Sequence, residues 1–162
     1  MFVNSTRFGS IEFADDRIIT LRGGILGFPE GERYVLHEQS QAQNIAWLQS
    51  IDQPELAFPV MDASILGETY PEPSPRTLAE AAGLPNSEDL AVLIVVVPRR
   101  TPPTLTANAL APIVIDLTSR IGAQVVLDAR QFSATLVLDR AQPSRRESLA
   151  KLTSIPAFAA AP

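Results

Sequence analysis

Cysteine is absent from the chain, histidine and tryptophan occur once each, and Lys151 is the only lysine. Without thiols there can be no disulfide framework, no thiolate metal site and no cysteine nucleophile. The one histidine, His37, lies in the strand-like stretch YVLHE, and no nucleophile or carboxylate stands at a spacing that pairs with it. A metal site would have to be built from that imidazole and scattered carboxylates, which is a poor donor set. Long apolar runs are missing as well. The longest, Leu90 to Val97, is far shorter than the ~20 residues of a membrane-spanning helix. The N-terminal MFVNSTRFGS has no basic segment followed by an apolar one, so it does not read as a signal peptide. These absences point to a cytoplasmic protein with no cofactor, no metal and no membrane association.

Catalytic motifs are equally scarce. No GxSxG occurs, and GGILGF has neither the GxGxxG spacing nor the lysine–hydroxyl pair of a phosphate loop. The adjacent carboxylates Asp15–Asp16 and Glu88–Asp89 fall in turns, where neighbouring side chains diverge and cannot share a proton. The chain offers no enzyme. A hydrolase reading would need a cluster converging on His37.

What is present is a globular composition, 46% hydrophobic and 19% charged over 162 residues, enough for one domain with a sizeable core. The net charge of −5 is unevenly spread: residues 41 to 98 hold Arg76 as their only cation against eight carboxylates. Direct nucleic-acid binding needs a concentrated Lys/Arg surface, so it is not expected. An acidic middle suits a basic protein partner instead. The carboxylates that would meet it are Asp52 and Glu55 in a hairpin turn, Asp62 after a strand, and Glu68 and Glu72 in a proline-rich loop.

Period-2 segments dominate the first half. Ile11–Phe13 and Ile18–Leu21 flank a turn at Asp15–Asp16, and the glycine-rich GGILGFPEGE follows without regular period. Tyr34–Glu38, Ile45–Ile51 and Leu56–Met61 read as strands, the last two joined through DQPE as an antiparallel hairpin. SPRTLAEAAGLP predicts one helix near 75 to 82, with Ser74 as a cap, Pro75 at its first position, and Gly83 and Pro85 ending it. LAVLIVVVP reads as a buried strand stopped by Pro98. Leu105–Leu110 and Ile113–Leu117 are strand-like around Pro112, which implies a bulge or an edge, and Ala123–Leu127 returns after a turn at SRIG. Many short strands with a single helix make this a mainly β chain, a small antiparallel barrel or sandwich over residues 1–139. Residues 140–162 contain few large side chains. They read as a flexible tail with a weakly docked helix near 144–153, dispensable for the core.

Two polar residues stand out among apolar neighbours, Gln49 and Asn108. A buried amide without partners costs about 1–3 kcal/mol, so each either braces the backbone or faces a partner. The sequence leaves both readings open.

WLQSIDQPELAF at 47 to 58 and TANALAPIVIDLTSRIGAQVVLD at 106 to 128 resemble the flagellar assembly factor FliW family. TRFGSIEF, IITLRGGILGFPEGERYVL and EDLAVLIVVV occur in the matching order, so the resemblance covers roughly residues 5 to 128. It implies a compact, mostly antiparallel β-barrel-like protein. It also implies two partners, flagellin and the RNA-binding translational repressor CsrA, whose action such proteins block so that flagellin synthesis follows secretion. Within these motifs Ile113, Val114, Ile115, Val125, Val126 and Leu127 read as core, while Asn108, Pro112 and the turn at 120 to 122 are candidates for a recognised feature. The same strands without the two long motifs would fit a generic β-barrel adaptor with other partners.

Overall fold

The computed structural model describes residues 1–38, 45–66, 75–100 and 103–138, together with Leu149 and Leu152. Its strands are β1 (Phe2–Ser5), β2 (Gly9–Glu12), β3 (Ile19–Leu21), β4 (Arg33–His37), β5 (Ala46–Ser50), β6 (Ala57–Asp62), β7 (Leu90–Arg100), β8 (Pro103–Ala107), β9 (Ile113–Asp116), β10 (Ile121–Gln124) and β11 (Leu136–Leu138), with α1 (Pro75–Ala81) between β6 and β7. Seven strands close a ring in the order β7-β6-β5-β4-β3-β10-β9 and back to β7. All neighbours are antiparallel except β10 and β3. The mainly β fold with a short helix is thus what the alternating pattern predicts, and ring closure decides for the barrel that the resemblance implies over a sandwich.

Closure depends on the length of β7. Its first half, Leu90–Leu93, pairs with β9, and its second half, Val96–Arg100, pairs with β8. β11 adds to β8, so β7, β8 and β11 form an arm that leaves the ring at one end. Pro98 does not stop the strand as expected. The Val95 carbonyl accepts the Asn108 N–H, so odd positions of β7 address β8 and even ones turn away. Proline at 98 therefore lacks a donor only where the ladder to β8 needs none.

The barrel interior is lined by Ile19, Leu21, Tyr34, Leu48, Val60, Ala91, Leu93, Ile113 and Ile115. β7 is apolar on both faces because its outer face is covered too: Ile94 and Val96 pack with Met61, Ala63 and Leu138, and Val92 lies against both outer clusters. α1 lays Leu78 on Val114 and Val125, with Ala82 just past the helix in the same cluster. It ends as its sequence demands: Gly83 takes φ +76° and the Leu84 N–H returns to the Ala79 carbonyl. Ser74, the expected cap, lies outside the described residues. β1 and β2 form a separate ribbon whose Val3 and Ile11 cover Val35 on the outer face of β4. Gly122 sits where β10 crosses β9 so closely that any Cβ would overlap the Val114 carbonyl.

Four further expectations change. The first and last strands, β1 and β11, are not evident from the sequence, being short and lacking clean alternation. Pro112 lies between β8 and β9 and not within a strand, so the implied bulge is a turn. Val126 is exposed, because β10 ends at Gln124 and the chain leaves the ladder there. Finally, the C-terminal helix is not weakly docked at its two described positions. Leu149 and Leu152 are fully buried in the barrel core. An i, i+3 pair lies on one face of a helix, so these two leucines can enter the core together.

Candidate functional site

Of the two polar residues singled out by the sequence, Gln49 is an internal brace and the partly buried Asn108 braces a turn. Gln49 is buried; its Oε1 accepts from Ser5 Oγ at 2.7 Å, and its Nε2 donates to the carbonyls of Ser50, Pro54 and Leu56 at 3.0, 3.0 and 3.1 Å. It ties the β5–β6 turn to the turn of the N-terminal ribbon, where Ser5 Oγ also accepts the Arg7 and Phe8 N–H groups. Asn108 Oδ1 accepts the Ala111 N–H at 3.1 Å and so holds the turn after β8. Arg120 takes the left-handed φ of 59°, and its guanidinium donates to the carbonyls of Arg17 and Leu152. The turn at 120 to 122 is thereby a clasp on the C-terminal helix.

The acidic residues do not gather into one surface among the described residues. Asp52 is bound by Arg33, with Arg33 Nη2 to Oδ1 at 2.6 Å, and the hydrogen bond from that guanidinium holds its carboxyl below the usual range. Asp62, expected on an exposed turn, is buried instead and accepts the Ser64 N–H at 2.9 Å. A carboxylate needs such donors when it leaves water, and the turn after β6 provides one. Asp62 also lies at the opposite end of the barrel from Asp52 and Glu55, because β6 runs from one end to the other. Glu55 is exposed. Glu68 and Glu72 lie outside the described residues.

His37 pairs with Trp47 across β4–β5 and stacks on Phe8 at 4.6 Å between ring centroids, while the Arg7 guanidinium lies 4.6 Å over Trp47. Burial lowers the imidazole pKa from 6.5. The unfolded chain then binds the proton more readily, so stability falls as pH drops below 6.5 toward the lowered folded value. His37→Gln should flatten the pH dependence of the melting temperature as the pH falls below 6.5. An unchanged slope would mean that the ring titrates like a free histidine. Among the described residues no three His, Asp or Glu side chains are grouped to hold a metal ion. A cavity of about 310 Å³ beside His37 is lined by Ile11, Phe13, Val35, Arg120 and Leu152 together with Glu12, Glu38 and Arg17, and no Ser or Thr lines it.

The unexplained feature lies at the other end of the barrel, the mouth from which the arm departs. There Val97, Thr106 and Val137 stand directly opposite one another on β7, β8 and β11. They share one face, and it is the face that inside the barrel carries Val60 and Val95. Carrying the β6–β7 register on by two residues brings Phe58 level with Val97. Phe58 in turn stacks against Phe28 at 5.4 Å. Phe28 is placed by the glycine-rich loop between β3 and β4: Gly24 at φ +68° lets the loop fold back where a Cβ would overlap the Phe28 carbonyl. Phe28 and Phe58 therefore meet at this mouth, and Val97 and Val137 stand on the same sheet face beyond the ring, either side of the buried Thr106. Exposure is 57% at Leu26, 39% at Phe28, 48% at Val97 and 64% at Val137. Exposed apolar side chains gathered at one mouth of a barrel make a candidate protein-binding surface. None of these residues was a sequence-based candidate; the available signal was three large apolar side chains in the turn-rich GGILGFPEGE.

Among the described residues no helix is long and apolar enough to cross a membrane. The sequence profile of the FliW protein family matches residues 2–137. A flagellar assembly factor FliW from Syntrophus aciditrophicus (strain SB) is 41% identical over 133 residues, covering 82% of this chain and 84% of the relative. That of Natranaerobius thermophilus is 36% identical over 135 residues, covering 82% and 89%. A crystal structure of the flagellar assembly factor FliW superposes with a TM-score of 0.73 at 25% identity, spanning 88% of this chain and all of the other.

Proposed function

This chain belongs to the FliW family of flagellar assembly factors, and from that premise we propose that it is a cytoplasmic binding protein for flagellin and for CsrA, linking flagellin synthesis to flagellum assembly. The apolar mouth is the observation that supports a binding role, since Phe28, Val97 and Val137 stay exposed there beside the partly buried Phe58 and complete no part of the barrel core. The chain has no catalytic role in this reading. CsrA is antagonised without any contact between this protein and RNA. An acidic chain with a single lysine is a poor RNA ligand, and its one tryptophan is already covered by Arg7 and Phe8. Asp52, Glu55, Glu68 and Glu72 contribute to encounter with a basic partner through long-range attraction; the buried Asp62 and the turn-bracing Asn108 support the fold beneath.

Release of RNA can follow from covering the RNA site of CsrA or from a coupling free energy of about 1–3 kcal/mol between two sites. Flagellin, by occupying this protein, restores repression. A gel-shift titration tests the scheme. Adding this protein to a complex of CsrA and flagellin-leader RNA should free the RNA, and adding flagellin should reverse the release. A complex indifferent to this protein, or RNA shifted by this protein alone, refutes the scheme.

A further inference from the structure

We infer that the free edge of β11 takes up an extended segment of a protein partner, which adds a strand to the arm and is apolar at and beside the position opposite Val137. The inference rests on the protein-binding reading above and adds the conformation of the bound segment and the backbone groups that hold it.

β11 is the last strand of its sheet, and among the described residues no strand pairs with its outer side. The ladder fixes which of its backbone groups are left over. The Asn108 N–H reaches the Val95 carbonyl, so even residues of β8 bond β7 and odd ones face β11. Ala109, the next odd residue, accordingly donates to the Ser133 carbonyl on the approach to β11. Leu105 and Ala107 stand opposite Leu138 and Leu136, which therefore bond β8, while Val137 turns its N–H and C=O outward. A strand laid alongside satisfies both groups at once. A helix spends its own backbone groups internally and cannot.

The side chains leave the same edge open. Sheets guard exposed edges with charges, proline or bulges. The two strands of the N-terminal ribbon carry Asn4, Ser10 and Glu12. Leu136–Leu138 has no polar residue and pairs with β8 without a bulge. Val137 is exposed on the face it shares with Val97. Leu136 is exposed on the opposite face, where Leu138 and Ala107 pack with Ile94 and Val96. An added strand continues both faces: its residue opposite Val137 lengthens the row Val97, Thr106, Val137, and a neighbour covers Leu136. The edge therefore accepts consecutive apolar residues and not an alternating pattern. That row begins at the mouth, so the added strand is continuous with the binding surface described above. One residue's two ladder bonds set the register, and the side chains on either face supply most of the contact.

Binding of the full chain to flagellin and to CsrA is measured first; failure with both removes the functional reading and this inference with it. With a binding partner in hand, amide hydrogen exchange is followed by NMR. In the free protein the Val137 amide should exchange about tenfold or more faster than those of Leu136 and Leu138, and the partner should slow it about a hundredfold. Protection of Val137 in the free protein overturns the inference: the edge is covered by its own chain if dilution leaves the protection unchanged, and by a second copy if dilution removes it. An exchange rate that the partner leaves unaltered overturns it as well, with the partner assignment standing. Val137→Pro deletes the outward N–H, a change that an edge strand tolerates, and should weaken binding about tenfold or more. Val137→Ile keeps the N–H and the branched side chain and should bind like the wild type. Equal affinity of the proline variant and the wild type, or equal losses in both variants, would rule out a ladder at this edge. If the proline variant does not fold, the exchange rates decide alone.

Discussion

Replacing Leu149 and Leu152 together by alanine should lower the melting temperature by roughly 10 °C or more, a large effect for a segment whose composition reads as a tail. Each leucine is fully buried against the interior of the ring, in one cluster with Ile19, Ala91 and Ile115. A Leu→Ala change at such a site costs about 2–5 kcal/mol, because the lost transfer energy is compounded by the cavity left behind. The two sites are neighbours, so their costs need not add, but about 4 kcal/mol for the pair is a conservative figure. For a chain of this length each kcal/mol moves the midpoint by about 2–4 °C. Arg120 supplies an independent check. Its guanidinium donates to the Leu152 carbonyl at 3.3 Å through both terminal nitrogens, so Arg120→Met, which keeps the aliphatic stem, should loosen the same helix. Calorimetry on the double variant decides the matter. A fall of only a degree or two would show that the helix rests on the barrel without completing its core.

The second large effect concerns binding and should leave stability nearly untouched. Val97→Asp combined with Val137→Asp is expected to weaken association with flagellin or CsrA about a hundredfold, equivalent to about 2.7 kcal/mol. Both side chains are about half or more exposed, so an aspartate there keeps its water in the free protein. In a complex the two carboxylates would be driven under an apolar partner surface, where desolvation is uncompensated. Phe2→Asp is the matched control: it is 62% exposed, yet it lies on the β1–β2 ribbon outside the barrel and away from the mouth. Calorimetric titration with either partner gives the answer. Equal affinities for the wild type and the double variant would remove the mouth from the binding surface, and equal losses in both variants would point to a general effect of added charge.

The alternation of large and small side chains along Ile19–Leu21, Tyr34–His37, Ala46–Ser50 and Ala57–Asp62 determined a β fold by itself. Strand formation needs only a period of two and turn residues at the breaks, and both are local properties. The helix at Pro75–Ala81 was equally legible, because the proline at its start and Gly83 at its end act within one or two turns of chain. The two long motifs determined the family. What the sequence left open depended on distant partners. Gln49 and Asn108 could have faced outward or inward, and only the positions of Ser5, of the Leu56 carbonyl and of the Ala111 N–H made them braces. Asp62 looks like an exposed carboxylate until the turn after β6 covers it. Leu149 and Leu152 lie in a stretch whose composition reads as a tail, yet both side chains enter the barrel core, because the ring is there to take them. The apolar mouth is the clearest case. Phe28 and Val137 lie 109 positions apart, and Phe58, Val97 and Val137 would each pass as core in their own segments. They come to one mouth because the eleven residues of β7 outrun the ring and carry β8 and β11 with them. No local pattern encodes that, since where a strand runs past its neighbours is decided by how all seven strands close.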